Sequence, residues 1–424
     1  MKKGLVALLW VFSFSVFSLR PIYAAEPEQK PAPTEQKPAE PAEKPLEPGW
    51  LSLDSSVGAA DRWIALNKSA VENALGFSIG GYLDSSYTWS SRHPKDPTRI
   101  SGRYFYGDQN KVNFNDFHLV FDKPEKDWGV GIHLSGDFGR TGELLREATL
   151  WGKNLNKEPS AELRESYITT TIPVGEGIQF KGGLFVTTLG AEIIPNPGSY
   201  NDQITRSFAF NYAIPLRHLG GLFTYPFLKT LTGTMGIVTG WDNPRDNNGS
   251  PSGLFGLTFT PSDTYSLASN IIVGPEQTRN TNDPRFTWSN VATVKPMDPL
   301  TLLLEFTVGF EQDASTPTGT KDAQWYAFAG TGVWSWTDRF STSLRTELFL
   351  DEGASRTQGF AATKPIFNVA LGEVTVAGTY KFTKMFVGRA EVRQDWANRA
   401  VYKRGSSNAN ANQTTLGLQL LYQY

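Results

Sequence analysis

Arg389, Glu391, Arg393 and Asp395 place alternating charges at every second residue. Successive side chains of a β-strand point to opposite faces, so on a strand these four share one face. A basic residue held against lipid at mid-membrane would cost about 2–4 kcal/mol, so in a membrane barrel the row must face the lumen. There it forms either a charge ladder across a pore or a mutually neutralising wall network that props the barrel. Arg345 and Glu347 repeat the pattern. The same register turns inward Asp84, Asp116, Asp137, Glu305, Glu311 and Glu373, with Lys181 and Lys381. Nine acids then oppose five bases. A narrow aqueous bore with a net negative wall concentrates cations, which predicts a weak cation preference.

Enzymatic chemistry finds little support. Of the four histidines, His93, His118, His133 and His218, none stands in an H-E-x-x-H motif, and no G-x-S-x-G occurs. His118 and His133 fall on adjacent predicted strands, both inward, where they could meet as a weak metal or proton site. Solvated wall residues are the simpler reading, so no catalytic residue, metal or cofactor is assigned. The chain has no Cys, which excludes disulfides and thiolate sites.

The elements that position these residues are strands. The chain ends in the alternating row Leu416, Leu418, Leu420, Tyr422 and Tyr424, opposite Thr415, Gly417, Gln419 and Gln423. One face is greasy and the other mostly polar, as in an outer-membrane barrel strand that finishes on an aromatic residue. At the other end, Lys2 and Lys3 precede an apolar run from Leu5 to Leu19, followed by a small-residue cleavage site after Ala24. This predicts a secretory signal peptide over residues 1–24. Its removal, with Lys2, Lys3 and Arg20, takes the formal charge from −2 to −5, which leaves no nucleic-acid footprint. Nothing later approaches 18 consecutive apolar residues, so entry into a membrane requires a closed barrel.

Residues 25–48 are rich in Pro, Ala, Glu, Gln and Lys, and Glu35-Gln36-Lys37-Pro38-Ala39 echoes Glu28-Gln29-Lys30-Pro31-Ala32. Such a segment cannot bury a core and reads as an extended periplasmic linker, either a tether toward the cell wall or an inert spacer. Within a pre-barrel segment, residues 49–75, helical spacing of Trp63, Leu66, Ala70, Val71 and Ala74 predicts one short helix. From Phe77 onward the apolar period is two. Seven short turn sequences alternate with eight longer polar stretches, which predicts a sixteen-stranded antiparallel barrel over residues 76–424 with short periplasmic turns, long outer loops and both termini periplasmic. Trp89, Trp128, Trp241, Trp288, Trp334, Trp336 and Trp396 fall near predicted strand ends, where aromatic girdles meet headgroups. Residues 163–172 resist assignment, because Leu163 and Tyr167 compete with Ile168 and Ile172 for the lipid face.

The stretches GFSIGGYLDSSYTW (76–89), NDFHLVFDKPEKDWGVGIHLSGDFG (115–139), RESYITTTIPVGEGIQFKGGLFVTTLGAEII (164–194) and SYNDQITRSFAFNYAIPLRHLGGLFTYP (199–226) resemble the β-barrel porin family described as OmpL-like. The resemblance runs from about Gly76 to the C-terminus, with Tyr424 in place of the Phe commonest at the end of such barrels. It implies an outer-membrane barrel conducting small solutes, embedded in outer-membrane lipid. A homotrimer is the expected assembly, because trimers are common among sixteen-strand porins. The last strand is the expected signal to the barrel-assembly machinery. In general diffusion porins the third outer loop often folds into the bore. By that resemblance Glu192, Tyr200, Asp202 and Arg206, on the longest loop (188–216), are expected to set the constriction. A non-conducting adhesin or wall tether is the alternative.

Overall fold

The computed structural model describes residues 61, 64–65, 68–72, 74, 76–95, 99–125, 129–148, 161–194, 201–360, 362, 365–406 and 408–424. The expected signal peptide and linker, with Trp63, Leu66, Trp128 and Tyr200, lie outside them.

Sixteen antiparallel strands close into one barrel. They are β1 (Ser78–Ser90), β2 (Val112–Lys123), β3 (Gly131–Phe138), β4 (Ala161–Ile172), β5 (Ile178–Val186), β6 (Arg217–Leu228), β7 (Leu231–Val238), β8 (Ser252–Ser262), β9 (Tyr265–Pro275), β10 (Pro284–Met297), β11 (Leu300–Thr316), β12 (Gly319–Ser335), β13 (Phe340–Glu352), β14 (Asn368–Lys381), β15 (Phe386–Ala397) and β18 (Asn412–Gln423). A two-stranded hairpin, β16 (Tyr402–Arg404) with β17 (Asn408–Asn410), sits in the connection between β15 and β18. Each strand pairs with its sequence neighbours, and β18 closes on β1. No described helix is long and apolar enough to cross a membrane.

The outer face follows the alternation. Leu416, Leu418 and Leu420 are 46%, 59% and 52% exposed, while Thr415 and Gln419 between them are buried in the interior. Cross-strand aromatics such as Phe306 and Phe328, in direct register with ring centroids 5.0 Å apart, knit the outer face. The chain ends lock the closure. Tyr424 exchanges backbone hydrogen bonds with Gly81, each 3.1 Å, and a Cβ at Gly81 would collide with the Tyr424 ring, so only glycine fits. Before β1, the described residues between Asp61 and Ala74 are helical. Glu72 there accepts the Ile79 N–H at 2.7 Å, and Asp61 accepts the Tyr422 hydroxyl at 2.9 Å.

Three expectations need revision. The β3–β4 register shifts beside Arg164 and Glu165, which both turn inward and are buried. This bulge puts Leu163 on one side of it and Ile168 and Ile172 on the other all on the lipid face, so the two competing rows are both real. The stretch 312–323, one of the eight polar stretches expected as outer loops, is not a loop: β11 and β12, each 17 residues, continue through it to a two-residue turn. Trp241 leaves the girdle and lies 7% exposed inside the barrel, its ring edge-on to Trp325 at 6.2 Å.

Candidate functional site: the lumen and its inserted loops

The connection between β5 and β6 enters the barrel and is held there by its backbone. Glu347 of β13 accepts the N–H groups of Phe208 and Ala209, both at 2.6 Å. Glu391 of β15 accepts Ile204 N–H at 2.6 Å and the Thr205 hydroxyl at 2.6 Å. Glu305 of β11 accepts Ala191 N–H at 3.2 Å. From the basic side, Arg345 donates to the Thr205 carbonyl at 2.9 Å and Arg393 to the Arg206 carbonyl at 2.6 Å. A loop buried in a barrel has peptide groups that no strand can pair, and wall side chains supply the partners instead. Hydrogen bonds to charged groups contribute about 1.5–3 kcal/mol each, so the wall charges fix the loop's position.

The charges also neutralise one another. Arg393 meets Asp395 at 2.6 Å and Glu373 at 3.5 Å, Arg345 meets Glu373 at 2.5 Å, and Arg285 meets Glu311 at 2.7 Å. Arg103, from the β1–β2 connection, reaches Asp395 at 2.7 Å. Burial, and then the neighbouring Arg393, pull the Arg103 pKa down. Arg389 donates to Gln419 at 2.9 Å, and Gln419 in turn donates to Asp84. The Tyr106 hydroxyl donates to Asp84 at 2.6 Å, and burial together with that carboxylate raises the phenol's pKa. The ladder 389–395 is inward and buried throughout, with its charges spent on one another and on the loops.

Of the expected constriction residues, Glu192 accepts from Arg345 at 2.7 Å and from Ser207 N–H at 2.7 Å. Arg206 is buried, its guanidinium 5.6 Å from the Tyr106 ring centroid. Asp202 lies deeper: its carbonyl accepts from Ser343 at 3.3 Å, three residues from the turn end of β13, and its side chain is exposed.

The two histidines have separate partners. His118 hydrogen-bonds Asp137 at 2.8 Å, whereas His133 stacks on Tyr167 at 4.6 Å and faces Asp122 and Glu165. Asp116, His118 and Asp137 do cluster with metal-ligand spacing. The Arg164 guanidinium already bridges both carboxylates, and Tyr82 donates to Asp116 at 2.7 Å, so the cationic position of this cluster is filled by protein.

Sequence reasoning missed an apolar fill toward the loop end. Phe185, Leu222, Val238, Leu254, Ile272, Trp325 and Phe349 point inward and pack with Leu189, Phe210, Ile214 and Leu216 of the inserted loop. Trp325 donates its indole N–H to the Ala213 carbonyl at 3.1 Å. Arg356, from the β13–β14 connection, lies over Trp241 at 4.6 Å and Trp325 at 5.1 Å, and burial beside Arg285 lowers its pKa to about 10. The available signal was the adjacent apolar pairs Leu184-Phe185, Leu254-Phe255 and Ile271-Ile272, which break strict alternation.

The remaining wall is unlike this. Toward the turn end, β4 to β8 present Thr169, Thr171, Lys181, Thr224, Thr232 and Thr258 inward, all half-buried, with Gly183 and Gly220 between them. Lys181 lies 4.4 Å from the Tyr167 ring centroid. This side carries short, half-buried polar groups.

A closed sixteen-stranded barrel, apolar outside and polar within, entered by loops from one end, defines the outer-membrane channel class. The chain belongs to the family described as "Putative beta-barrel porin-2, OmpL-like", whose model matches residues 76–424. Among solved structures it is similar to the outer membrane channel DcaP of Acinetobacter baumannii (10% identity, TM-score 0.55, covering 82% of this chain and 97% of that one). It is also similar to a loop L8 deletion mutant of OmpT from Vibrio cholerae (11%, 0.52, 82% and 99%) and to an anion-selective porin from Comamonas acidovorans (10%, 0.52, 82% and 99%). At these identities the likeness is one of fold. No curated protein sequence matches the chain.

Proposed function

We propose that the protein is a porin for passive diffusion of small hydrophilic solutes or ions, with no catalytic role. The observation that carries this is the division of the lumen: the β5–β6 loop is bound to the charged wall, and the wall opposite presents short threonine and glycine side chains that are only half-buried. The turns and both termini face the periplasm in this reading, and Glu192, Asp202 and Arg206 narrow the passage. Residues 1–24 direct export, residues 25–48 extend into the periplasm, and the β18 row Leu416 to Tyr424 addresses the assembly machinery. The weak cation preference belongs to the same proposal. With the waist charges paired, it rests on the turn-end mouth, whose lining includes three acids, Asp202, Asp298 and Asp338, and two bases, Arg339 and Lys381. A homotrimer is the proposed assembly, by analogy with OmpT of Vibrio cholerae, which has been solved in a trimer form.

Planar-bilayer recording of refolded residues 25–424 under a salt gradient tests the proposal. Stable steps on the order of nanosiemens, as expected of a sixteen-strand lumen, support diffusion, and an anion-selective reversal potential overturns the cation preference. The apolar fill at the loop end favours a second reading, a plugged barrel acting as adhesin or tether. Silence from a folded barrel, with no swelling of liposomes in permeant sugar, selects it.

A further inference from the structure

Lys181 of β5 differs from the guanidiniums of the charged wall. Its ammonium lies 4.4 Å from the centroid of the Tyr167 ring, and among the described residues no carboxylate forms an ion pair with it. The His133 imidazole stacks on the same ring from the β3 side at 4.6 Å, so the ring is held between two strands. Directly across the β4–β5 ladder from Lys181 stands Thr169, whose hydroxyl lies over Gly131, where a Cβ would collide with it. Neither that hydroxyl nor the Tyr167 hydroxyl has a hydrogen-bond partner among the described residues. All three side chains turn inward and are half-buried, so water reaches them. The Tyr167 rung continues through Gly183 and Gly220, which add no side chain to this part of the wall.

An ammonium only donates, and a hydroxyl turns its proton toward whatever accepts, so one charged acceptor can use all three groups. Hydrogen bonds to an ionised acceptor are roughly twice as strong as neutral ones. The protein does not supply that acceptor itself. The carboxylates whose fields reach Lys181 are Glu165 and Asp122, and both are turned to His133, at 3.6 and 3.4 Å. Glu165 also accepts the Val186 N–H at 3.0 Å. We propose that Lys181, Thr169 and Tyr167 form a subsite in the bore for a small oxyanion, a carboxylate or a phosphate. The acids of the turn-end mouth act on every ion that enters, whereas this subsite, on the opposite wall, holds the anionic group of a solute by direct contact. Its part in transit rests on the diffusion function proposed above; its occupancy does not.

Acylation of folded residues 25–424 in detergent by a small amine-reactive ester, read lysine by lysine in a mass spectrometer, tests occupancy without conduction. Acetate or inorganic phosphate should slow modification of Lys181 several-fold relative to sodium chloride of equal ionic strength, and should leave Lys229, on the β6–β7 turn, unaffected. Protection by acetate alone assigns a carboxylate site, by phosphate alone a phosphate site, and by both a general oxyanion site; each supports the proposal. No protection beyond that in chloride, equal protection of Lys229, or a Lys181 that the ester never reaches overturns it. Tyr167→Phe with Thr169→Val keeps the ring and the side-chain shapes while removing both hydroxyls, and should remove most of the protection. Full protection in that variant, with the folded barrel's gel mobility unchanged, overturns the three-donor site. In planar bilayers, Lys181→Met should weaken block of the current by the protecting anion several-fold and Lys181→Arg should restore it; equal block in all three proteins overturns the role in transit. A silent barrel whose Lys181 is still protected rejects diffusion and keeps the subsite.

Discussion

On one side of the lumen, β13 to β15 present charges that are buried, and Arg345, Glu347, Glu391 and Arg393 among them bond the backbone of the inserted loop. On the other, the turn-end half of β4 to β8 presents half-buried threonines and glycines with Lys181 among them, while buried Arg164, Glu165 and Arg217 are confined to the loop-end half, where Arg217 donates to the Leu145 carbonyl at 3.1 Å. Both walls read as polar in the sequence, and they do different work. The charged wall acts as scaffold: its carboxylates and guanidiniums satisfy the peptide groups of a loop that has left the strand ladder. The threonine wall is left for solvent. Ionisable residues inside a barrel therefore mark where loops are moored as much as where ions pass.

The largest break in this asymmetry should come from Arg393→Met. It takes one of two guanidiniums from Asp395, which keeps Arg103, and from Glu373, which keeps Arg345, and it unhooks the Arg206 carbonyl; losing one member of a buried network costs about 3–5 kcal/mol. Denaturant unfolding in detergent measures it, with Thr232→Ala as the opposite-wall control expected within about 0.5 kcal/mol. Equal losses would abolish the distinction. Glu347→Ala should cost about 1–3 kcal/mol by orphaning the Phe208 and Ala209 N–H groups, and should add conductance noise as the loop loosens. Deleting residues 195–203 should raise single-channel conductance without unfolding the barrel, and an unchanged value would take the loop out of the passage. Thr232→Trp should lower conductance by roughly half at unchanged stability, if bore width on that wall sets the current.

The smallest effect concerns pH. Burial raises the pKa of Asp242, partly opposed by the N–H groups of Arg217 and Leu216 that it accepts. The folded state therefore binds more protons than the unfolded one between the unfolded and folded pKa values, so stability from this group falls as pH rises through that window. Wild type should lose more stability than Asp242→Asn as pH rises above the ordinary aspartate value of about 4. Equal slopes would show that Asp242 is not the source.

Fifteen connectors of alternating length and an apolar row at every second residue made the sixteen strands legible, because lipid on one face and a polar lumen on the other force period two along each crossing. The misreadings have local causes. The Arg164-Glu165 bulge reversed the phase within one strand, and the 312–323 stretch is polar yet paired because strands there continue past the apolar belt. The inward direction of Arg389, Glu391, Arg393 and Asp395 was readable from spacing and cost alone. Their partners were not, since Glu391 meets Ile204 and Arg345 meets Glu192 across more than 150 residues of chain.

The sequence by itself determined a closed barrel, its strand number and the face of the charges on regularly alternating strands, though not of Arg164 and Glu165 at the bulge, since bilayer energetics act on each strand locally. Only the tertiary structure decided which charges meet water, because that depends on where the loops fold. A loop's path through a lumen is set by hydrogen bonds between residues far apart in the chain, and no local period records them.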